Sequence, residues 1–129
     1  MTKRYISWEE VEILVNILHD NILESDEDFD AVMGLPRGGL IPAVMLSHKT
    51  GMSYAPYGNV LVVDDICDSG KTLKTIQFPT AVLHYKPHTS IIEPTFYACK
   101  FESDDWIVYP WENKDSKTIQ DYKTKVGSK

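Results

Sequence analysis

The sequence predicts an α/β domain with a mostly parallel sheet flanked by helices. Three observations carry this. Short apolar runs alternate with helical stripes over the first two thirds of the chain. Val60-Leu61-Val62-Val63 is an uninterrupted apolar run ending in Asp64-Asp65, as expected of a strand covered on both faces. Pro36-Arg37-Gly38-Gly39 and Asp64 to Thr72 both follow strand-like runs, which is where ligands sit in this fold class.

Each element has a local reason. Ser7 followed by Glu10 fits a capping box, in which each side chain satisfies the other residue's backbone N–H. Val11, Leu14, Val15, Leu18 and Ile22 then recur at helical spacing, with Glu9, Glu12, Asn16 and Asp20 left for water. The acidic run from Glu24 to Asp28 ends that helix as a loop. Ala31 to Leu35 reads as a short buried strand. Leu40 to Thr50 reads as a helix stopped by Gly51. Tyr54 to Tyr57 reads as an edge strand, since Pro56 argues against a central position. Asn59 to Asp65 is the next strand, Cys67 to Gly70 a tight polar loop, and Lys71 to Gln77 a short helix. Ala81 to Tyr85 and Thr95 to Phe101 complete the strands.

Composition limits the function classes. The 129 residues fit one domain, and 43% hydrophobic with 25% charged residues is ordinary globular usage. No apolar run approaches the ~18–20 residues that span a bilayer. The opening MTKRYISWEEVEI lacks a secretory h-region, so a cytoplasmic protein is expected. Net charge is −6, which argues against nucleic-acid binding, since phosphate neutralisation supplies most of that affinity. Residues 113–129 hold five Lys and two Asp, while the rest carries 8 basic and 17 acidic side chains. The Lys-rich tail reads as a solvated terminus; contact with RNA or a membrane surface is the alternative. Cys67 and Cys99 form no CxxC pair and are too few for a metal cage. Cys67 reads as packing filler. No histidine shows ligand spacing, and His84 and His88 are expected at the surface.

The chemistry concentrates between Asp64 and Thr72. Ionised carboxylates only accept hydrogen bonds, so Asp64-Asp65 at a strand end suits a diol or a divalent metal. Asp68-Ser69-Gly70-Lys71-Thr72 leads into a helix, where backbone N–H groups and hydroxyls converge on an anion. Gly70 permits close approach of the backbone. Diol acceptors beside a phosphate cradle describe a ribose 5-phosphate site. Gly70-Lys71-Thr72 mimics the end of a P-loop, but that loop needs a glycine where Asp65 stands.

VLVVDDICDSGKT resembles, over 13 residues, the phosphoribosyl pyrophosphate motif of the type I phosphoribosyltransferases. Gly34-Leu35-Pro36-Arg37-Gly38-Gly39-Leu40 is similar to the family's pyrophosphate loop, where small residues and an arginine hold a diphosphate. Trp106-Ile107-Val108-Tyr109-Pro110-Trp111 resembles the ending of bacterial xanthine-guanine members, and Leu83-His84-Tyr85-Lys86-Pro87 resembles the strand with their base-reading lysine.

The resemblance covers about residues 5–112. It implies the type I fold with a reduced hood, a phosphoribosyltransferase domain over 1–112 and a separate tail over 113–129. It implies transfer of ribose 5-phosphate from phosphoribosyl pyrophosphate to guanine, xanthine or hypoxanthine, with Mg²⁺ as cofactor and a homodimer or homotetramer as assembly. By position, Asp64 and Asp65 hold the ribose hydroxyls and Mg²⁺, and Asp68 assists proton removal at N7 of the purine. Ser69, Gly70, Lys71 and Thr72 hold the 5-phosphate, and Arg37, Gly38 and Gly39 the pyrophosphate. Lys86 donates to O6 of a 6-oxopurine, Trp106 stacks on the ring and Ile107 meets it through its backbone.

On its residues alone, Trp106 beside Ile107 and Val108 fits a core position as well as a stacking one, and Trp111 reads as a structural anchor. One departure stands out. The family inserts a long closing loop where this chain has only the seven residues Met52 to Gly58. That leaves two further readings open: a non-catalytic module that binds a nucleotide or phosphoribosyl pyrophosphate, and a phosphoribosyltransferase for another base.

Overall fold

Ser7 and Glu10 start the first helix as the sequence predicts. Glu10 N–H donates to Ser7 Oγ at 3.1 Å, and Ser7 N–H donates to Glu10 Oε1 at 3.0 Å. The helix, α1, runs Trp8–Glu24 and buries Val11, Leu14, Val15, Leu18 and Ile22. The structure, a computed structural model, describes residues 2–112; the tail at 113–129 lies outside the described residues. In chain order the elements are β1 (Lys3–Tyr5), α1, β2 (Ala31–Gly34), α2 (Leu40–Thr50), β3 (Ser53–Tyr54), β4 (Val60–Cys67), α3 (Lys71–Lys74), β5 (Thr80–Tyr85), β6 (Phe96–Lys100) and β7 (Trp106–Val108). Gly51 ends α2 as expected, in a left-handed conformation at φ +79° with its N–H on Ser47 O.

Five strands form a parallel sheet in the order β3-β2-β4-β5-β6. The uninterrupted apolar runs are explained by burial on both faces. Val32, Leu61, Val63, Ala81 and Leu83 join the core under α1 and α2. Ala31, Val60 and Val62 pack with Ile76 on the other side, and Val82 with Leu73 and Cys67. Each such buried Val or Leu contributes about 1.5–3 kcal/mol. The helix expected over Lys71–Gln77 is shorter. Only Lys71–Lys74 is α-helical, and tighter turns carry the chain on, with Thr75 N–H on Thr72 O and Ile76 N–H on Leu73 O.

Register puts the motifs at one edge. Gly34 pairs with Val63, so the Pro36–Gly39 loop leaves the sheet level with Asp64, while β4 runs on beside β5 to Cys67. The short interval stays at the opposite end. Ser53 and Tyr54 pair with Ala31 and Val32, and Asn59 is pinned by its backbone N–H to Asp30 Oδ2 at 2.7 Å and by its side-chain amide to Asp28 O. The edge strand therefore lies at Ser53–Tyr54, just before the expected Tyr54–Tyr57.

A second, two-stranded sheet forms a small hood. β1 and β7 pair in parallel, with Lys3 opposite Trp106, Arg4 opposite Ile107 and Tyr5 opposite Val108. The sequence reading did not anticipate this pairing. Among the described residues no helix is long and apolar enough to cross a membrane.

Candidate functional site

At the carboxyl edge of the sheet, β4 changes from apolar to acidic and one wall of a cavity begins. The cavity holds about 680 Å³ and is lined from three directions. The strand end and following turn supply Asp64, Asp65, Asp68, Ser69, Gly70 and Thr72. The loop after β2 supplies Pro36, Arg37 and Gly38. The hood and the end of β5 supply Lys86, Trp106 and Ile107. Of the residues singled out from sequence, Gly39 and Lys71 do not reach this lining.

The acidic wall is held by backbone and hydroxyl donors. Asp64 Oδ1 accepts from Asp65 N–H at 2.8 Å. Asp68 is braced by Thr89, whose hydroxyl lies 2.7 Å from its Oδ1 and 2.9 Å from its carbonyl. Ile91 N–H donates to Ser69 O at 2.9 Å, so the segment after β5 fixes the turn. Gly70 sits at φ +78°, and a Cβ there would press on Ser90 and on Ile91 N. Cys67 is buried with Sγ 3.2 Å from Ser90 Oγ, and burial raises its thiol pKa. It packs with Leu73, Val82 and Tyr85 as a free thiol and also reaches the cavity lining.

The loop after β2 needs its small residues for packing. A Cβ on Gly38 would overlap the Asp65 carboxylate, and one on Gly39 would overlap Val63 O. Leu35 N–H donates to Val63 O at 2.8 Å and Gly39 N–H to Leu35 O at 2.8 Å. The Pro36–Arg37 peptide bond is cis. Gly39 thus supports the loop from beneath, while Arg37 and Gly38 face the cavity.

Lys86 departs from an ordinary solvated lysine: it is 4% exposed. Its Nζ donates to Asp105 O at 2.8 Å and lies 5.8 Å from the Phe101 ring centroid. Asp105 is tied in turn to Arg4 at 3.3 Å. Trp106 lies in the cavity wall, not in the core beneath it. Its indole N–H is buried with no partner among the described residues. Trp111 stacks on Tyr109 with centroids 4.9 Å apart, an anchor as expected, though it also reaches the cavity.

His84 overturns its surface expectation. It is 4% exposed, packed edge-on to Phe101. β5 is buried along its whole length, so the histidine has no solvent face. Burial lowers its pKa to about 4, with Arg4 and Lys86 pushing the same way and Glu10 opposing. Its Nδ1 lies 2.8 Å from Tyr109 Oη, and Tyr109 Oη lies 3.1 Å from Asp65 O. Tyr109 is 2% exposed, and burial, then Asp65 and Asp64, hold its phenol protonated. His88 lies nearer the surface, 3.0 Å from Asp104. The bonds of Tyr109 to His84 and Asp65, and of Thr89 to Asp68, carried no sequence signal, because the partners are distant in the chain.

The lining holds four carboxylates, Asp64, Asp65, Asp68 and Glu112, against the two cations Arg37 and Lys86. Among the described residues no three His, Cys, Asp or Glu side chains converge as a metal cage. That donor set suits a hard cation shared between one or two carboxylates and the oxygens of a ligand, the habit of Mg²⁺.

The chain matches no family model. It is 30% identical over 115 residues to a xanthine-guanine phosphoribosyltransferase of Cereibacter sphaeroides, covering 64% of this chain and 68% of that protein. The crystal structure of a purine phosphoribosyltransferase from Pyrococcus horikoshii superposes with a TM-score of 0.76 at 29% identity, over 93% of this chain and 100% of that one. The Helicobacter pylori xanthine-guanine-hypoxanthine phosphoribosyltransferase shares the fold, with a TM-score of 0.74 at 19% identity over 85% and 93% of the two chains. Relative, architecture and motif placement agree, and the chain belongs to the type I phosphoribosyltransferases, a family of pentosyl-transferring enzymes, beside its bacterial xanthine-guanine members.

Proposed function

We propose that the chain transfers ribose 5-phosphate from phosphoribosyl pyrophosphate to a 6-oxopurine: guanine, xanthine or hypoxanthine. One observation carries the reading: a single cavity joins the acid pair, the turn after β4, the arginine loop and a buried lysine. In the reaction the purine nitrogen bonds to the sugar's anomeric carbon while the bond from that carbon to pyrophosphate oxygen breaks. Pyrophosphate leaves with the electron pair.

The residues divide the work. Asp64 and Asp65 accept from the ribose hydroxyls, which only donors can satisfy. The turn Asp68-Ser69-Gly70-Lys71-Thr72 holds the 5-phosphate. Lys71 lies outside the cavity lining and acts on the turn through its backbone N–H, which donates to Ser69 Oγ at 3.3 Å. Arg37 with Gly38 receives the diphosphate, and Gly39 supports their loop. Asp68 takes the proton that the purine loses. An ammonium has three donors, and Lys86 uses one on Asp105 O, leaving donors for O6 of an oxopurine. Adenine presents an amino group there and gains no such bond. Trp106 offers a stacking face and Ile107 its backbone. Asp64 and Asp65 would hold Mg²⁺, which when bound would supply charge neutralisation for the leaving group. The acid-rich lining makes that neutralisation necessary for a polyanionic donor. Catalysis rests on positioning and electrostatics.

The test is a spectrophotometric assay with each base, phosphoribosyl pyrophosphate and Mg²⁺. Nucleotide forms with at least one base, and a chelator abolishes it. No nucleotide from any of the three at high enzyme concentration overturns the proposal. The second reading, a binding module without turnover, draws on the short segment pinned at the far end of the sheet. Calorimetry showing tight nucleotide binding by an inactive chain favours it.

A further inference from the structure

Behind the acid pair lies a buried polar chain that the proposed reaction does not use. It runs from β5 through the hood to β4: His84 Nδ1, Tyr109 Oη, Asp65 O. β2 ends at Gly34 opposite Val63, so Asp65 stands beyond the end of that neighbour. The phenol reaches its carbonyl from the hood side.

The proton count fixes the direction of every bond. A backbone carbonyl only accepts, so Tyr109 gives its single proton to Asp65 O. The phenol oxygen then has only acceptor capacity for His84. Nδ1 must therefore carry a hydrogen, and a neutral imidazole carries its one hydrogen there rather than on Nε2. Tyr109 is held in place independently of these bonds, parallel to Trp111 with a 2° interplanar angle. It directly follows β7, whose Trp106 and Ile107 line the cavity.

We propose that Tyr109 and His84 are positioning residues that lock Asp65 to the hood, so that the sugar-holding acid and the base-facing wall keep one fixed separation. The proposal rests on the phosphoribosyl reading for the role of Asp65, while the bond chain itself does not. A separation held by one buried and one part-buried bond matters because transfer between two bound reactants depends on their alignment. The bonds join three segments that are distant in sequence: residue 65, residue 84 and residue 109.

Two measurements test it. Nitrogen-15 NMR of the histidine rings in the full-length protein reports the tautomer directly. We expect His84 to be protonated at Nδ1 near neutral pH, and to lose that preference in Tyr109→Phe. His84 protonated only at Nε2 in the wild type overturns the chain of bonds.

Kinetics supply the second readout. Tyr109→Phe keeps the ring and its stacking and removes only the hydroxyl. We expect kcat to fall at least about tenfold, since both bonds of the phenol are lost, with KM for the base changed little. His84→Asn, whose amide donates in the same direction, retains more activity than His84→Leu. Wild-type kcat in Tyr109→Phe, or equal loss in the two His84 variants, overturns the positioning role. Should Tyr109→Phe fail to fold, the tautomer and the His84 pair still decide. An inactive wild type whose His84 carries the Nδ1 hydrogen rejects the transferase reading and with it the catalytic consequence, while a wild-type enzyme that turns over with the wrong tautomer rejects this inference alone.

Discussion

Replacing His84 by phenylalanine removes the one buried imidazole of β5 while keeping an aromatic side chain beside Phe101 and Tyr109. The wild-type imidazole has its pKa lowered from 6.5 to about 4, mainly by burial. In the unfolded chain the same group titrates near its ordinary value. Between those two values the unfolded state binds more protons, so stability rises with pH across the window and is lost as pH falls. For one such site, lowering pH from about 7.5 to about 5 removes about 2 kcal/mol, and the full loss below pH 4 is about 3 kcal/mol. The cause is desolvation: a second ring hydrogen must enter a space closed by Phe101 and Tyr109, with Arg4 and Lys86 adding repulsion. The assay is urea unfolding of wild type and His84→Phe at both pH values. Every other side chain is common to both proteins, so the difference between the two pH-induced drops isolates His84. We expect the wild type to lose about 2 kcal/mol more than the variant. Equal drops refute the reasoning, because they mean that His84 titrates alike in folded and unfolded chains.

Three further outcomes follow from the site. Lys86→Ala removes a charged donor, so KM for a 6-oxopurine rises roughly 10–150-fold while KM for phosphoribosyl pyrophosphate stays within about twofold; equal rises exclude Lys86 as the base reader. Gly38→Ala places a Cβ on the Asp65 carboxylate, and we expect a loss of about 100-fold in kcat/KM with the circular dichroism spectrum unchanged. Gly70→Ala forces a side chain into left-handed backbone against Ser90, costing about 1–2 kcal/mol, read as a fall of about 5–10 °C in Tm.

The parts legible in the sequence are those whose causes are local. Ser7 and Glu10 sit three residues apart, and the stripe from Val11 to Ile22 repeats within one helix, so α1 could be read directly. Val60 to Val63 reads as a two-face-buried strand because nothing polar interrupts it, and the acids that follow mark its exit. The hood was illegible for the opposite reason. β1 and β7 are three residues each, and their pairing spans about a hundred residues of chain. His84 failed for a related reason. Within Thr80–Tyr85 every position is buried, so no alternation marks an inward face, and the partner that makes a buried imidazole tolerable lies 25 residues away. Thr89 and Ser90, which brace the end of β4 and the turn after it, look from sequence like ordinary loop residues.

Gly38 and Gly39 show how one sequence feature can have a second physical cause in the fold. Read from sequence, they are small so that backbone can approach a diphosphate. In the fold they are also small because β4 presses on them, Asp65 against Gly38 and Val63 O against Gly39. The same contact works in both directions: it leaves room for the arginine loop, and it sets where the Asp65 carboxylate rests. Tyr109 constrains that residue from the hood through its carbonyl. Asp65 is thus bounded by the loop after β2 on one side and by the segment after β7 on the other. The pair of acids owes its placement less to its own strand than to two segments that reach it from residues 38 and 109, and substitutions at either position should act on sugar binding without touching the sugar.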